Sequence, residues 1–449
     1  FLLSAYEFIL DHHLTWYLAN NRLDHVGRTI YEITAGQWRL TFEEKRRILL
    51  AHIRGVDIDA NAVEVARFSL LLKLIENETA EGLQDYVNQH RTRALTPLDN
   101  AIRSGNSLVS PAEWMAACGA MPPALINKVN PFNWSAEFPA ELGRGGFDVI
   151  VANPPYIRIQ NMAAYSPEEV AFYQNPASPY TTARQDNFDK YALFIERALT
   201  LLRPSGRLGV IPPHKFMTIT AGRALRRLIT AGRFLEQVVH FGVKQVFGRN
   251  VANYTCILVF DRRGQDTVRV EQIGPLEAWR YGEPGLITEI PAAALGEDSW
   301  QFADADTRTL FERVRAAFPD RLGQVAEIFV GAQTSADSIY IFQSAGERHG
   351  NVILHWNGHD WPIERDILRP CLHDVTLFAY ARPRPNAWMI FPYEIVPGRT
   401  RAVAQLIQPE EMERRFPGCL AYLEARRDEL RPRNIVGGSA VTRQFYQFG

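Results

Sequence analysis

Between Arg54 and Phe260 short apolar runs alternate with longer segments of helical period. Ile53-Arg54-Gly55-Val56-Asp57 reads as a strand ending on a carboxylate. Asn61 to Ile75 follows as a helix, with Val63, Ala66, Leu70 and Leu74 on one face. Phe147 to Ala152, entered from the turn Gly143-Arg144-Gly145-Gly146, predicts a buried strand. From Asn187 to Leu202 the residues Phe188, Tyr191, Ile195, Ala198 and Leu202 make an i, i+3, i+4 stripe, which Pro204-Ser205-Gly206 stops. Arg207 to Ile211 is the next strand. Phe234 to Phe241 and Tyr254 to Phe260 flank a turn and are suited to antiparallel pairing. Strands alternating with helices predict an α/β fold with a doubly wound, mostly parallel sheet. In such sheets the site lies at the carboxyl ends of the strands, where Asp57 and Asn153 both fall.

Beyond Asp261 the alternation stops. The sequence then predicts a first domain over 1–263, an acidic, Pro- and Gly-punctuated connection over 264–320, and a second domain over 321–449. That last stretch is rich in Trp, Tyr, Pro and Arg and reads as mixed α+β structure. No internal repeat or low-complexity tract is evident.

Composition narrows the class rather than the function. With 449 residues, 46% of them hydrophobic, the chain can bury more than one core. Charge nearly cancels, 49 Lys and Arg against 50 Asp and Glu, so only its distribution is informative. The four cysteines, Cys118, Cys256, Cys371 and Cys419, form no Cys-x-x-Cys pair, which argues against a disulfide framework or a zinc site and suits the cytoplasm. No apolar run is long enough to span a bilayer. The opening Phe1-Leu2-Leu3-Ser4 has no basic n-region. It reads as the start of a helix whose preceding strand and loop lie upstream.

The chemistry concentrates in Asn153-Pro154-Pro155-Tyr156. The lone pair of an adenine N6 amine is delocalised into the ring and is a poor nucleophile. Two acceptors, the Asn153 side-chain oxygen and the Pro154 carbonyl, can take its N–H bonds and localise that pair. Consecutive prolines fix φ, so the carbonyl is aimed before a base arrives. Tyr156 offers a flat face to a base taken out of its duplex. A plain Pro-Pro turn is the competing explanation, and the preceding strand Asp148 to Ala152 is what weighs against it.

With those residues in view, the chain resembles the γ-class N6-adenine DNA methyltransferases of restriction–modification and phage-defence systems. It is most similar to the large single-chain type IIG-like or BREX-type enzymes that carry a target-recognition domain. The resemblance implies a Rossmann-like sheet, S-adenosylmethionine as cofactor with no metal for methyl transfer, and double-stranded DNA as partner. It also implies a nuclease domain upstream or other defence-system subunits alongside. By the same resemblance Asp57 in Gly55-Val56-Asp57-Ile58-Asp59 would bind the cofactor ribose and Ile58 its adenine. Asn106 and Ser107 in Arg103-Ser104-Gly105-Asn106-Ser107-Leu108 would complete that side, although relatives often have Asp where Asn106 stands. Phe1-Leu2 matches the tail of the family's glycine-rich cofactor loop. Phe247, in Lys244-Gln245-Val246-Phe247, would oppose Tyr156 across the flipped base. Residues 321–449 resemble a target-recognition domain through Phe329 to Thr334, Leu368-Arg369-Pro370, Trp388 to Tyr393 and Phe445 to Gly449. Gln333, Arg382, Arg384 and Asn386 are the base-reading candidates there.

From Arg197 to Leu235 there is no Asp or Glu, while Lys215, Arg223, Arg226, Arg227 and Arg233 follow one another. That tract suggests a phosphate-binding face. Ile157 to Asp186 reads as a mobile flap, or as an ordinary surface insertion. Pro370-Cys371, Glu43-Glu44-Lys45 and His12-His13 are decoys: each lacks the companions that a cytosine-C5 nucleophile, a nuclease acid pair or a metal site needs. Two other functions fit parts of the pattern, a protein-glutamine methyltransferase and a catalytically silent DNA-recognition subunit.

Overall fold

The computed structural model describes all residues except 91–96, 185–186, 248–253, 301, 303–304, 328–330, 377, 398–401, 431–443 and 449. The chain divides into two units, Phe1–Val314 and Arg315–Gly449.

In the first unit the helix Leu2–Ala19 and the hairpin β1 (Ile30–Thr34) and β2 (Gln37–Leu40) precede the helix Phe42–His52. The Thr41 hydroxyl starts that helix by accepting the Glu44 N–H at 3.3 Å. Glu44 itself is buried, bonded by the Tyr17 hydroxyl at 2.6 Å and by Arg47, so it is not the helix-surface residue its surroundings predict. Strand β3 (Gly55–Asp57) leads into the helix Ala60–Ile75, whose N-terminus is capped by Asp59 accepting the Asn61 N–H at 2.8 Å. Val63, Leu70 and Leu74 of its predicted stripe are buried with Ala66 packed beside them, against Tyr6, Ile48 and Leu49. Strand β4 (Ile102–Ser104) pairs parallel with β3, Gly55 opposite Ile102 and Asp57 opposite Ser104, as a separate two-stranded sheet.

The main sheet has six strands: β5 (Phe147–Ala152), β6 (Leu202–Val210), β7 (Leu235–His240), β8 (Cys256–Asp261), β9 (Thr267–Gln272) and β10 (Leu286–Pro291), in the order β10-β9-β7-β8-β6-β5. The class is α/β, but the sheet is mixed rather than mostly parallel. β5–β6 and β7–β9 run parallel, whereas β6–β8, β7–β8 and β9–β10 run antiparallel. β8 lies between β6 and β7 and runs antiparallel to both, and β10 closes the far edge antiparallel to β9. The stretch 264–320, read from sequence as a connection, instead supplies β9 and β10. Val268, Val270 and Ile290 are buried in the sheet's core with Leu258, Phe260 and Trp300.

β5 departs from expectation in burial. It is an edge strand with β6 as its neighbour, and Val149 and Val151 are exposed. Its entry depends on Gly146, at φ +123°, where a Cβ would run into the backbone of Leu201 to Arg203. The helix Lys190–Leu201 buries Tyr191, Ile195, Ala198 and Leu199 against the sheet and returns the chain into β6, parallel to β5.

In the second unit two three-stranded sheets, a hairpin and short helices enclose one core. The first sheet orders Ile341–Phe342, Ala387–Ile390 and Leu368–Cys371; the second orders Glu347–Arg348, Asn351–Trp356 and His359–Glu364. Tyr340, Val352, Ile363, Met412, Tyr422 and Tyr446 fill the space between them. Glu364 caps the helix Pro417–Ala425 by accepting the Gly418 and Cys419 N–H groups at 2.7 and 2.9 Å. Among the described residues no helix is long and apolar enough to cross a membrane.

Candidate active site

The carboxyl end of β5 delivers Asn153 to Tyr156 beside the carboxyl end of β6. The Ile211 N–H donates to the Ala152 carbonyl at 3.3 Å, which holds the two strand ends together. The Tyr156 hydroxyl donates to the Ile211 carbonyl at 2.7 Å and lies 3.2 Å from Asn153 Oδ1. These contacts fix the phenol ring, and the Asn153 amide oxygen keeps a second lone pair beyond the Tyr156 hydroxyl. Asn153 is exposed and Pro154 buried. Among the described residues the Pro154 carbonyl accepts no hydrogen bond. Burial pushes the Tyr156 phenol up to about 12, with the Cys256 thiol nearby adding to the effect, so the hydroxyl stays protonated at neutral pH. Tyr191 meets the Tyr156 ring edge-on at 6.4 Å and braces it. An amide oxygen with a spare lone pair, an unbonded carbonyl and a fixed ring at one strand end are what a planar amine needs in order to be held and polarised.

The candidates for the cofactor side gather at the carboxyl ends of β3 and β4, on the other sheet. The Gly105 N–H donates to the Asp57 carbonyl at 2.8 Å, which joins the turn after β4 to the end of β3. Gly105 is required there, since a Cβ would clash with the Phe132 ring. Asp57 is exposed, and its Oδ1 accepts the Asp59 N–H at 2.9 Å. Ile58 is 52% exposed and Phe1 60%. Ser107 uses its carbonyl to accept the Trp134 indole N–H at 3.0 Å.

Asn106 differs from its prediction. Its side chain is buried, donating to Glu169 Oε2 at 3.0 Å and accepting the Leu108 N–H at 3.1 Å. Both ends of the amide are occupied within the protein, because Glu169 is brought over it by the helix Pro167–Gln174.

That helix belongs to the stretch 157–184, which is packed structure and not a mobile flap. Ile159, Met162, Phe172, Tyr173 and Tyr180 are buried against Leu108, Val109 and Trp114. The Tyr180 hydroxyl donates to the Leu108 carbonyl at 2.5 Å. Glu196 receives the backbone N–H and hydroxyl groups of both Thr181 and Thr182 at 2.6 to 3.0 Å.

Phe247 is half-buried at the end of the turn after Phe241, and among the described residues no ring contact joins it to Tyr156. The edge instead holds three rings passed over in the sequence. His214 stacks on His240 at 4.7 Å and on Tyr254 at 6.1 Å, with interplanar angles of 24° and 11°. Pro212-Pro213-His214 directly after a predicted strand was the available signal.

The basic tract is largely neutralised by acids from elsewhere in the chain. Arg223 pairs with Glu297 at 2.9 Å and reaches Asp298 at 3.6 Å; Arg227 pairs with Glu297 at 2.6 Å; Arg233 pairs with Asp266 at 3.3 Å. Arg226 is buried, donating to the carbonyls of Phe216, Ile219 and Glu297, and is therefore a structural brace and no phosphate contact. Lys215 makes no ion pair among the described residues. In the second unit Gln333, Arg382 and Arg384 are exposed. Asn386 is occupied, accepting the His373 N–H at 2.8 Å and donating to the His373 carbonyl at 2.7 Å, which closes its own loop. Phe329 and Val330 lie outside the described residues.

Residues 51–247 match the family profile described as Eco57I restriction-modification methylase. The type II restriction enzyme and methyltransferase RM.Eco57I of Escherichia coli is 29% identical over 461 residues, covering 100% of this chain and 43% of that protein. The type II methyltransferase M.PaeR7I of Pseudomonas aeruginosa is 29% identical over 210 residues, covering 44% of this chain and 35% of that protein. The DNA complex of the type IIL restriction–modification enzyme MmeI has a TM-score of 0.43 and 13% identity, over 91% of this chain and 52% of that one; so low a likeness carries no argument. The chain spans less than half the length of these two curated relatives.

Proposed function

The chain carries an Eco57I restriction-modification methylase domain over residues 51–247, and from that premise we propose that the protein methylates adenine N6 in duplex DNA within a restriction–modification system. The observation that supports this most directly is the end of β5: Asn153 Oδ1 has a lone pair to spare and the Pro154 carbonyl accepts no hydrogen bond among the described residues, beside a Tyr156 ring fixed through Ile211. A base extruded from the duplex would lay its face on Tyr156. Its N6 hydrogens would go to the two acceptors, which raises electron density on nitrogen, and one proton would pass to solvent after methyl transfer.

S-adenosylmethionine would supply the electrophilic methyl group. The exposed Asp57 carboxylate suits its ribose hydroxyls and the exposed Ile58 its adenine face, whereas Asn106 does not fit, because its amide is already satisfied. Residues 315–449 would then supply the sequence choice, and Gln333, Arg382 and Arg384 remain its candidates.

Labelled cofactor with mass spectrometry of digested DNA tests the assignment. The wild type should form N6-methyladenine. Asn153→Ala should lower turnover about a hundredfold or more, the usual cost of removing one preorganised polar partner, with cofactor binding nearly unchanged. Normal N6-methyladenine yield from that variant would remove Asn153 from the mechanism.

A further inference from the structure

The two halves of the candidate site stand on separate sheets. The cofactor-side residues follow β3 and β4, whereas Asn153 to Tyr156 follow β5 of the six-stranded sheet. Transfer between two bound molecules tolerates little misalignment, so the spacing of these halves has to be held by the protein. A buried polar cluster lies across the divide. Asn106 comes from the turn after β4, Ser166, Glu169 and Tyr173 from the helix Pro167–Gln174 and its cap, and Lys190 from the start of the helix Lys190–Leu201; all five are buried.

Glu169 is the centre of that cluster. Its Oε2 accepts the Asn106 amide at 3.0 Å and the Tyr173 hydroxyl at 2.7 Å, and its Oε1 accepts the Ser166 hydroxyl at 2.9 Å. Lys190 Nζ stands 3.6 Å from Oε2. On the cofactor side Asn106 follows Gly105, whose N–H donates to the Asp57 carbonyl at 2.8 Å, and the Asn106 N–H donates to the Asn130 carbonyl at 2.6 Å. On the base side the Lys190 N–H donates at 2.8 Å to the carbonyl of Ile157, the residue after Tyr156. The next residue, Tyr191, is the one that braces the Tyr156 ring. A continuous run of contacts thus leads from Asp57 through Asn106, Glu169 and Lys190 to Tyr156. Burial, with the Glu169 charge adding to it, pushes the Tyr165 and Tyr173 phenols up, so neither is charged at neutral pH. The cluster therefore holds one carboxylate matched by one ammonium, and Asn106 supplies a donor without adding a charge.

We propose that Glu169 is a positioning residue for methyl transfer, tying the turn on the cofactor side to the helix that braces Tyr156, and that Asn106 serves this link instead of the cofactor. This rests on the adenine-methyltransferase reading above. Glu169 acts through Asn106 and Lys190. A carboxylate suits the task because it accepts at both oxygens and so holds donors from three segments at once. With every member satisfied, such a buried network has one arrangement, which keeps the two halves of the site in register.

The test uses the intact protein, S-adenosylmethionine and a duplex taken from the protein's own mapped methylation site. Thermal midpoint and kcat per folded molecule are followed from about pH 6 to about pH 8. Asn106→Asp sets two carboxylates together. Near pH 8 both are charged and the link is broken, so kcat should fall about tenfold, the scale of a small misalignment of reacting groups. As the pH is lowered towards about 6, one carboxyl takes a proton and donates to the other, and kcat relative to wild type should recover. Asn106→Asp combined with Glu169→Gln returns one carboxylate and one amide in exchanged places, and should stay within about threefold of wild type throughout. Glu169→Gln alone leaves Lys190 without its partner charge. It should lower kcat about threefold or more with no recovery at low pH, and it serves where Asn106→Asp does not fold. A purely structural role would lower the thermal midpoint of the single variants and leave kcat per folded molecule at the wild-type value. That result, or a double variant no better than Asn106→Asp near pH 8, would overturn the inference and leave the enzyme reading intact. A wild type that methylates no DNA adenine would overturn both.

Discussion

Arg226 shows how little a residue's type says about its task. Together with Arg223 and Arg227 it forms a basic cluster in sequence, yet its guanidinium is buried and donates to three carbonyls, those of Phe216, Ile219 and Glu297. Gly222 permits this by letting the turn close onto Phe216, where any Cβ would collide with the Phe216 carbonyl. Burial lowers the Arg226 pKa, although a guanidinium remains charged at any physiological pH. Arg226→Ala would strand those carbonyls and should cost roughly 2–4 kcal/mol of unfolding free energy. Arg227 is 66% exposed, and Arg227→Ala should cost no more than about 1 kcal/mol. Urea denaturation of both variants checks the contrast, and equal losses would contradict it. The run of arginines was legible in the sequence, but the carbonyls that claim one of them were not. They come from turns up to 71 residues away.

The same distinction holds for elements. The helix Lys190–Leu201 was readable because its stripe matches the helical period and Pro204-Ser205-Gly206 ends the run. The insertion before it reads from sequence as a mobile flap or as an ordinary surface insertion, since its polar sequence has no clear period. What makes it rigid is Glu196, on the solvent-poor side of that helix, receiving four hydrogen bonds from Thr181 and Thr182. A carboxylate can accept at both oxygens, whereas an amide can accept at one. Glu196→Gln should therefore break the bonds at one Thr and speed amide exchange at Thr181 or Thr182 by about tenfold or more, a loss of roughly 1–3 kcal/mol locally. Unchanged exchange at both amides would show that packing of Tyr180 and Phe172 alone holds the segment.

On the scale of the whole molecule, net charge near zero hides where the free cations are. Glu297, Asp298 and Asp266, contributed by the segment that carries β9 and β10, cover three of the arginines that looked available. Lys215, just past the carboxyl end of β6, has no ion pair among the described residues. On the proposed function, Lys215→Gln should weaken binding to specific and random duplexes alike and shallow the salt dependence by about one unit. Arg223→Gln should change that slope far less, since its charge is already matched. Arg384→Gln, in the second unit, should alter which sequences are methylated, by roughly 1–3 kcal/mol for a lost bidentate base contact. Titrations at several salt concentrations separate the three. A sequence preference that follows Lys215 and ignores Arg384 would reverse the division of labour.

The sequence by itself determined the local elements and the candidate string that follows β5. Apolar period, capping residues and turn glycines act over a few positions, so β5, the helix Ala60–Ile75 and Asn153-Pro154-Pro155-Tyr156 could be read directly from them. Tertiary structure decided everything that depends on residues distant in the chain meeting. It made β5 an edge strand, drew β9 and β10 into the sheet, placed Glu169 on Asn106 and Glu297 on the arginines, and stacked His214 between His240 and Tyr254. Short-range pattern fixes which backbone states are cheap. Which side chains become neighbours follows only when the strands have chosen their order, and that order is set by burial across the whole chain.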